Sequence, residues 1–170
     1  MNAKEILLHQ MAAGHDEENW FVPMTRALEG LTAEQAAWRD DSSNNSIWQN
    51  VNHLSFWNER CLLKFQGITP EKFEGDNDAT FIGEKETGSE EDWKSAKDRL
   101  FTIFSKWKTA VSEADESKLS AIYYGNSSWY EVISDIVTHN AYHLGQIIHT
   151  RKLQGSWTPK EWAISAPPAQ

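Results

Sequence analysis

The run from Ser128 to Leu153 constrains the fold more than any other stretch of the chain. Its apolar residues recur at three- and four-residue steps, the period of an α-helix with one buried face. Ser128-Trp-Tyr-Glu131 has the spacing of a capping box, and Gly155 stops the run. Such a stripe must be buried against other elements, and three further segments supply them. Residues 3–29 read as one interrupted helix: Ile6, Leu7 and Met11 line its first part, and Trp20, Phe21, Met24 and Leu28 its second. Pro23 kinks that helix or restarts it. Ser46-Ile-Trp-Gln49 is a second capping box and opens a helix over 46–66, stopped by Gly67. The next helix starts near Ser89 with Glu90, Glu91 and Asp92 in its first turn, where acidic groups complement the helix dipole. Trp93, Ala96, Leu100, Trp107 and Val111 form its stripe, and it fades near Glu113. The fold class is therefore all-α, a four-helix bundle formed by one domain spanning residues 1–170.

The shorter pieces follow from composition. Thr32-Ala-Glu-Gln35 has capping-box spacing and predicts a brief helical turn. Residues 39–45 and the tail with Pro159, Pro167 and Pro168 read as irregular chain. Leu119, Ile122, Tyr123 and Tyr124 suggest a short extended piece. Residues 67–88 lack periodicity and make a long connection for a compact domain. Its Glu84-Lys-Glu86 charges read as solvated surface.

Composition excludes several roles. The net charge is −9, so an acidic surface repels phosphate backbones and nucleic acid is not an expected partner. No apolar run approaches a membrane span, and the N-terminus is too polar for a signal peptide. Cys61 is the single cysteine, which rules out an intrachain disulfide and suits a reducing, cytoplasmic setting. No phosphate-cradling glycine loop and no Gly-x-Ser-x-Gly elbow is present.

The chemistry lies in Thr138-His-Asn-Ala-Tyr-His-Leu-Gly-Gln146. His139 and His143 stand four residues apart, about 40° around the helix axis, so both imidazoles project from one face. Two neutral imidazoles at that spacing can bind one metal ion. A third ligand must come from elsewhere, and His53 in Asn52-His-Leu-Ser-Phe-Trp57 is the candidate. The helix over 46–66 is roughly 32 Å long, and the connection after it can reach roughly 70 Å, enough to return along the bundle. The third helix then runs parallel to the second, and the order is up-down-down-up. His53 lies about 20 Å from the end of its helix, and His139 and His143 about 16 and 22 Å into theirs. In an antiparallel pair these levels coincide. In a parallel pair His53 would lie only about 10 Å from the shared end.

The helix-2 histidine, the pattern His139-x-x-x-His143-x-Gly145-Gln146 and the closing Gly155-x-Trp157 resemble the DinB/YfiT-like superfamily of four-helix-bundle metalloproteins, over nearly the whole chain. The resemblance implies a divalent ion, zinc or nickel, held by His53, His139 and His143 with open positions, and a homodimer. It also implies a small-molecule substrate, and transfer of a low-molecular-weight thiol, bacillithiol-like, to an electrophile. The family's helix-4 motif commonly has arginine where this chain has Leu144.

Two other functions stay open: a metal-dependent hydrolase using bound water, and a non-catalytic bundle that binds metal or a ligand. Asn140 occupies the place of the glutamate in the zincin motif, which disfavours a peptidase of that kind. Asp135 and Gln146 flank the histidine pair and are candidates to orient an imidazole. Trp57, one turn after His53, is a candidate pocket wall, and Gly145 a site of close helix packing. Cys61 reads as a small buried hydrophobe, and His9, His15 and His149 as ordinary. No residue receives a proton-transfer role.

Overall fold

The computed structural model describes residues 1–40, 45–82 and 88–158. Positions 41–44 of the polar loop, the Glu84–Glu86 charges and the proline-containing tail lie outside the described residues. Four long helices dominate: α1 (Ala3–His15), α4 (Ile47–Phe65), α5 (Glu90–Glu113) and α7 (Trp129–Leu153). Three short ones, α2 (Met24–Ala27), α3 (Ala33–Ala37) and α6 (Glu116–Ser120), fill the connections. Ile122–Tyr124 and Ser127–Ser128 pair as a small antiparallel ribbon, β1 and β2, just before α7. Among the described residues, no helix is long and apolar enough to cross a membrane.

Side-chain caps define several helix starts. Ser46, Ser128 and Thr32 each accept from the backbone N–H three residues on, and Gln49, Glu131 and Gln35 reach back to close the boxes. Each box satisfies two amides that a helix start leaves without partners.

The first helix departs from expectation. It ends at His15, where the Asp16 N–H bonds Ala12 O, and helix resumes only at Met24, with Pro23 as its N-cap. His15 turns into the core against Phe101 and Phe104, and Lys108 Nζ meets Asp16 Oδ1 at 3.0 Å. The break interrupts the helical period. Met24 and Leu28 stay buried, but Trp20 is 84 % exposed and Phe21 39 %. Ile6 also faces outward, and Leu7, Leu8 and Met11 carry the α1 stripe instead.

Pairwise contacts give the helix directions. Trp48 packs on Trp93 and, further along both helices, Phe65 packs on Trp107, so α4 and α5 run the same way. Asn50 meets His143 while Phe65 meets Trp129, so α4 and α7 run oppositely. Lys4 reaches Ala114 O while His15 reaches Phe104, so α1 and α5 are also antiparallel.

The apolar core has two parts. One gathers Met24, Leu28, Trp48, Leu54, Trp93, Leu100 and Leu144; the other gathers Leu7, Leu62, Phe65, Trp107, Trp129 and Ile133. The buried indoles that face polar backbone are satisfied: Trp93 Nε1 donates to Leu31 O at 2.9 Å and Trp107 Nε1 to Asn58 O at 3.0 Å. Along α4 and α7 a band of polar residues runs beside the apolar ones. Asn50, His53 and Asn58 stand on one helix, and His139, Asn140 and His143 on the other. Burying such a band is unfavourable unless each group finds a partner.

The connection between α4 and α5 is not wholly irregular. Asp78–Phe81 forms a turn of 3-10 helix, with Asp76 Oδ1 accepting from Ala79 N, and Thr80 and Phe81 are buried. That turn lies against α4 and delivers both side chains to His53.

Candidate metal centre

His53 from α4 and His139 and His143 from α7 converge. The Nε2 atoms of His53 and His139 are 3.1 Å apart, and those of His143 and His139 are also 3.1 Å apart. A ligand nitrogen from each ring lies within 4.8 Å of the other two. Two nitrogens each about 2.1 Å from one ion are roughly 3.0 Å apart at a right angle and roughly 3.4 Å apart at the tetrahedral angle. The observed separations fall in that interval.

The opposite ring nitrogens show which tautomer two of these histidines carry. Thr80 Oγ1 donates its single proton to Asn77 O at 2.6 Å, so it can only accept from His53 Nδ1, also at 2.6 Å. Asn50 Nδ2 donates to Ser46 O at 2.9 Å, which orients its amide. Asn50 Oδ1 therefore faces His143 Nδ1 at 2.8 Å and accepts from it. In both rings the proton sits on Nδ1, and Nε2 presents a bare lone pair to the centre. Lone pairs that converge on one point repel each other, and a cation placed among them satisfies all of them at once. The donor set thus fits a divalent transition-metal ion.

Electrostatics favour the same form. Burial, followed by the neighbouring His143 and His139, lowers the His53 pKa to about 3. Burial and then His139 lower that of His143 to about 4, with Gln146 acting the other way. Burial also lowers the pKa of His139. All three rings are neutral near pH 7, as metal ligation requires. The walls are aromatic. Phe81 stacks on His53 with ring centroids 3.9 Å apart, and Tyr142 meets His143 edge-on at 5.1 Å.

The other candidates are placed differently. Asp135 is exposed and forms no hydrogen bond to the three imidazoles. Gln146 is half-buried and faces His143. Trp57 lies at the surface, edge-on to Phe56. Gly145 does not serve close packing: a Cβ built there meets nothing within 4 Å. Asn140 pairs with Asn58 through reciprocal amide hydrogen bonds of 2.8 and 3.0 Å, tying α4 to α7 beside the histidines. Cys61 is half-buried, and burial pushes its thiol pKa up, which disfavours the reactive thiolate.

Asn50 and Thr80 are hydrogen-bond partners of the histidines that periodicity did not expose. Asn50 sits one turn before His53 but serves His143 on the facing helix, so its role depends on the helix crossing. Thr80 lies in a segment without periodicity and carries no local signal.

The structure defines a mostly helical protein in which three histidines able to hold a metal ion come together. The model of the DinB superfamily matches residues 23–147, more than half of the chain, and the chain belongs to that superfamily. No curated protein and no solved structure matches it.

Proposed function

We propose that this protein is a metal-dependent enzyme that transfers a low-molecular-weight thiol to an electrophilic small molecule. The observation that carries the reading is the pair of fixed tautomers. Thr80 and Asn50 hold bare Nε2 atoms of His53 and His143 toward one point beside His139. A divalent ion bound there supplies a Lewis-acid centre that favours the thiolate over the thiol near neutral pH.

The chain's own groups hold and shield that centre. His53, His139 and His143 bind the ion, Thr80 and Asn50 fix two of the rings, and Phe81 and Tyr142 form apolar walls. Among the described residues, Asn50, Thr80, Phe81, Tyr142 and Gln146 lie against the imidazoles, and none of them is a carboxylate. A thiol beside a cation loses its proton to solvent and needs no neighbouring base, and the thiol-dependent relatives that the chain resembles use such a thiolate. This favours thiol transfer over hydrolysis.

The parallel α4–α5 pair and the antiparallel α4–α7 and α1–α5 pairs support an up-down-down-up four-helix bundle. The resemblance to thiol-dependent relatives supports zinc or nickel as the ion and a homodimer as the assembly.

The test is thiol consumption with 1-chloro-2,4-dinitrobenzene, using bacillithiol, glutathione and cysteine in turn. A rate above background that requires added zinc or nickel and vanishes in His139→Ala is expected. Absence of a metal-dependent rate with every thiol would overturn the reading.

A further inference from the structure

A pair of amides joins α4 to α7 beside the histidines. Asn58 Nδ2 donates to Leu54 O at 2.8 Å, which orients its amide. The same group donates to Asn140 Oδ1 at 2.8 Å, and Asn140 Nδ2 returns a bond to Asn58 Oδ1 at 3.0 Å. The carbonyl of Asn58 accepts from Trp107 Nε1 at 3.0 Å, so α5 is tied to the same point. Asn58 is buried and Asn140 half-buried.

Stability alone does not call for this pair. Leucine has the same branched outline as asparagine. Replacing both partners of a buried hydrogen-bonded pair by apolar groups of that shape is often neutral or stabilising. What two leucines cannot reproduce is the distance. The bonded N and O atoms stand 2.8 and 3.0 Å apart, whereas packed carbon atoms stand about 3.5–4.0 Å apart. The amide pair therefore lets α4 and α7 approach about 0.5–1 Å closer than an apolar pair would.

That difference matches the tolerance of the centre. His53 and His139 reach across the same gap, with Nε2 atoms 3.1 Å apart. One ion spans roughly 3.0–3.4 Å between two imidazole nitrogens. A gap wider by about 1 Å would take the separation to about 4 Å, beyond that interval. His139 is also the ligand most dependent on its backbone. Thr80 and Asn50 hold the rings of His53 and His143, but among the described residues no hydrogen bond reaches Nδ1 of His139. Its place is set by α7, and Asn140 is the next residue along that helix.

We propose that the Asn58–Asn140 pair is a positioning device that sets the α4–α7 gap at which His53 and His139 can share one ion. This rests on metal binding by the three histidines.

The test compares zinc affinity, from competition with a chromophoric chelator, with the Tm of the metal-free protein. The variants are Asn58→Leu combined with Asn140→Leu, Asn140→Ala alone, and Ile133→Val, a core change about 9 Å before His139 on the same helix. The double leucine variant is expected to stay folded and to bind zinc at least about tenfold more weakly. Its cobalt(II) complex is expected to show a visible spectrum different from the parent's, because the nitrogen set around the ion has opened. Asn140→Ala leaves Asn58 its bond to Leu54 O and is expected to lose affinity too; it decides the matter if the leucine pair does not fold. Ile133→Val is expected to lower Tm and leave zinc affinity unchanged. Parental zinc affinity and cobalt spectrum in a folded amide variant would overturn the positioning role and leave the metal site standing. An equal loss of affinity in Ile133→Val would also overturn it, by reducing the effect to general stability. Parent protein that binds no zinc would instead sink the metal reading, and this proposal with it.

Discussion

Thr80→Val lowers the affinity of the protein for zinc about 10–100-fold, and Asn50→Leu does the same from the other side of the site. Valine keeps the shape of threonine but cannot accept a hydrogen bond. The His53 Nδ1 proton then loses its acceptor, and the ring is free to carry its proton on Nε2, where it blocks ligation. Asn50→Leu removes the corresponding acceptor from His143. Neither residue touches the ion, so the effect passes wholly through the tautomer and orientation of a ligand. Competition against a chromophoric chelator measures the affinity, and circular dichroism checks that the helices persist. Unchanged affinity in both variants would show that the tautomers are not what holds the ion.

The metal-free protein loses stability as the pH falls from 7 to 4.5. His53 and His143 have folded-state pKa values near 3 and 4, below the ordinary value of 6.5. Above pH 6.5 the rings are neutral in folded and unfolded chains alike, and the full stability is present. Below it the unfolded chain takes up protons that the folded chain refuses, so the equilibrium shifts toward unfolding. The loss grows until the pH reaches the folded values. At pH 4.5 each ring contributes on the order of 2 kcal/mol of destabilisation. Urea melts of metal-free protein at the two pH values measure it. The loss should be smaller in His53→Gln, whose side chain does not titrate. An equal loss in parent and variant would contradict the assigned burial of His53.

The four long helices were legible in the sequence because their starts are written in side chains. Ser46, Ser89 and Ser128 each accept a hydrogen bond from the third residue of the helix that follows. Glycines follow the ends of α4 and α7 at Gly67 and Gly155, both with positive φ. Between such marks, the apolar period left little choice of buried face. The clustering of the three histidines was legible because two are four residues apart on one helix, and the third lies at a level that an antiparallel pairing makes equal.

Other features depend on information that no local pattern carries. Trp20 and Phe21 look like core residues only if the helical period passes through residues 16–23, and it does not. The 78–81 turn owes its place to contacts with α4. Gly145 reads as a packing glycine until the space above it is seen to be open. Asn50 reads as an ordinary polar residue in a first turn, and only the crossing of α4 with α7 sets it behind His143.

The most direct measurement is the metal content of tag-free protein purified without chelator, beside His53→Ala and His139→Ala prepared in the same way. The account predicts about one zinc or nickel ion per chain in the parent and loss in both variants, since each removes one of only three protein ligands. Parent protein that stays metal-free after incubation with zinc and with nickel, or variants that keep the ion, would contradict it.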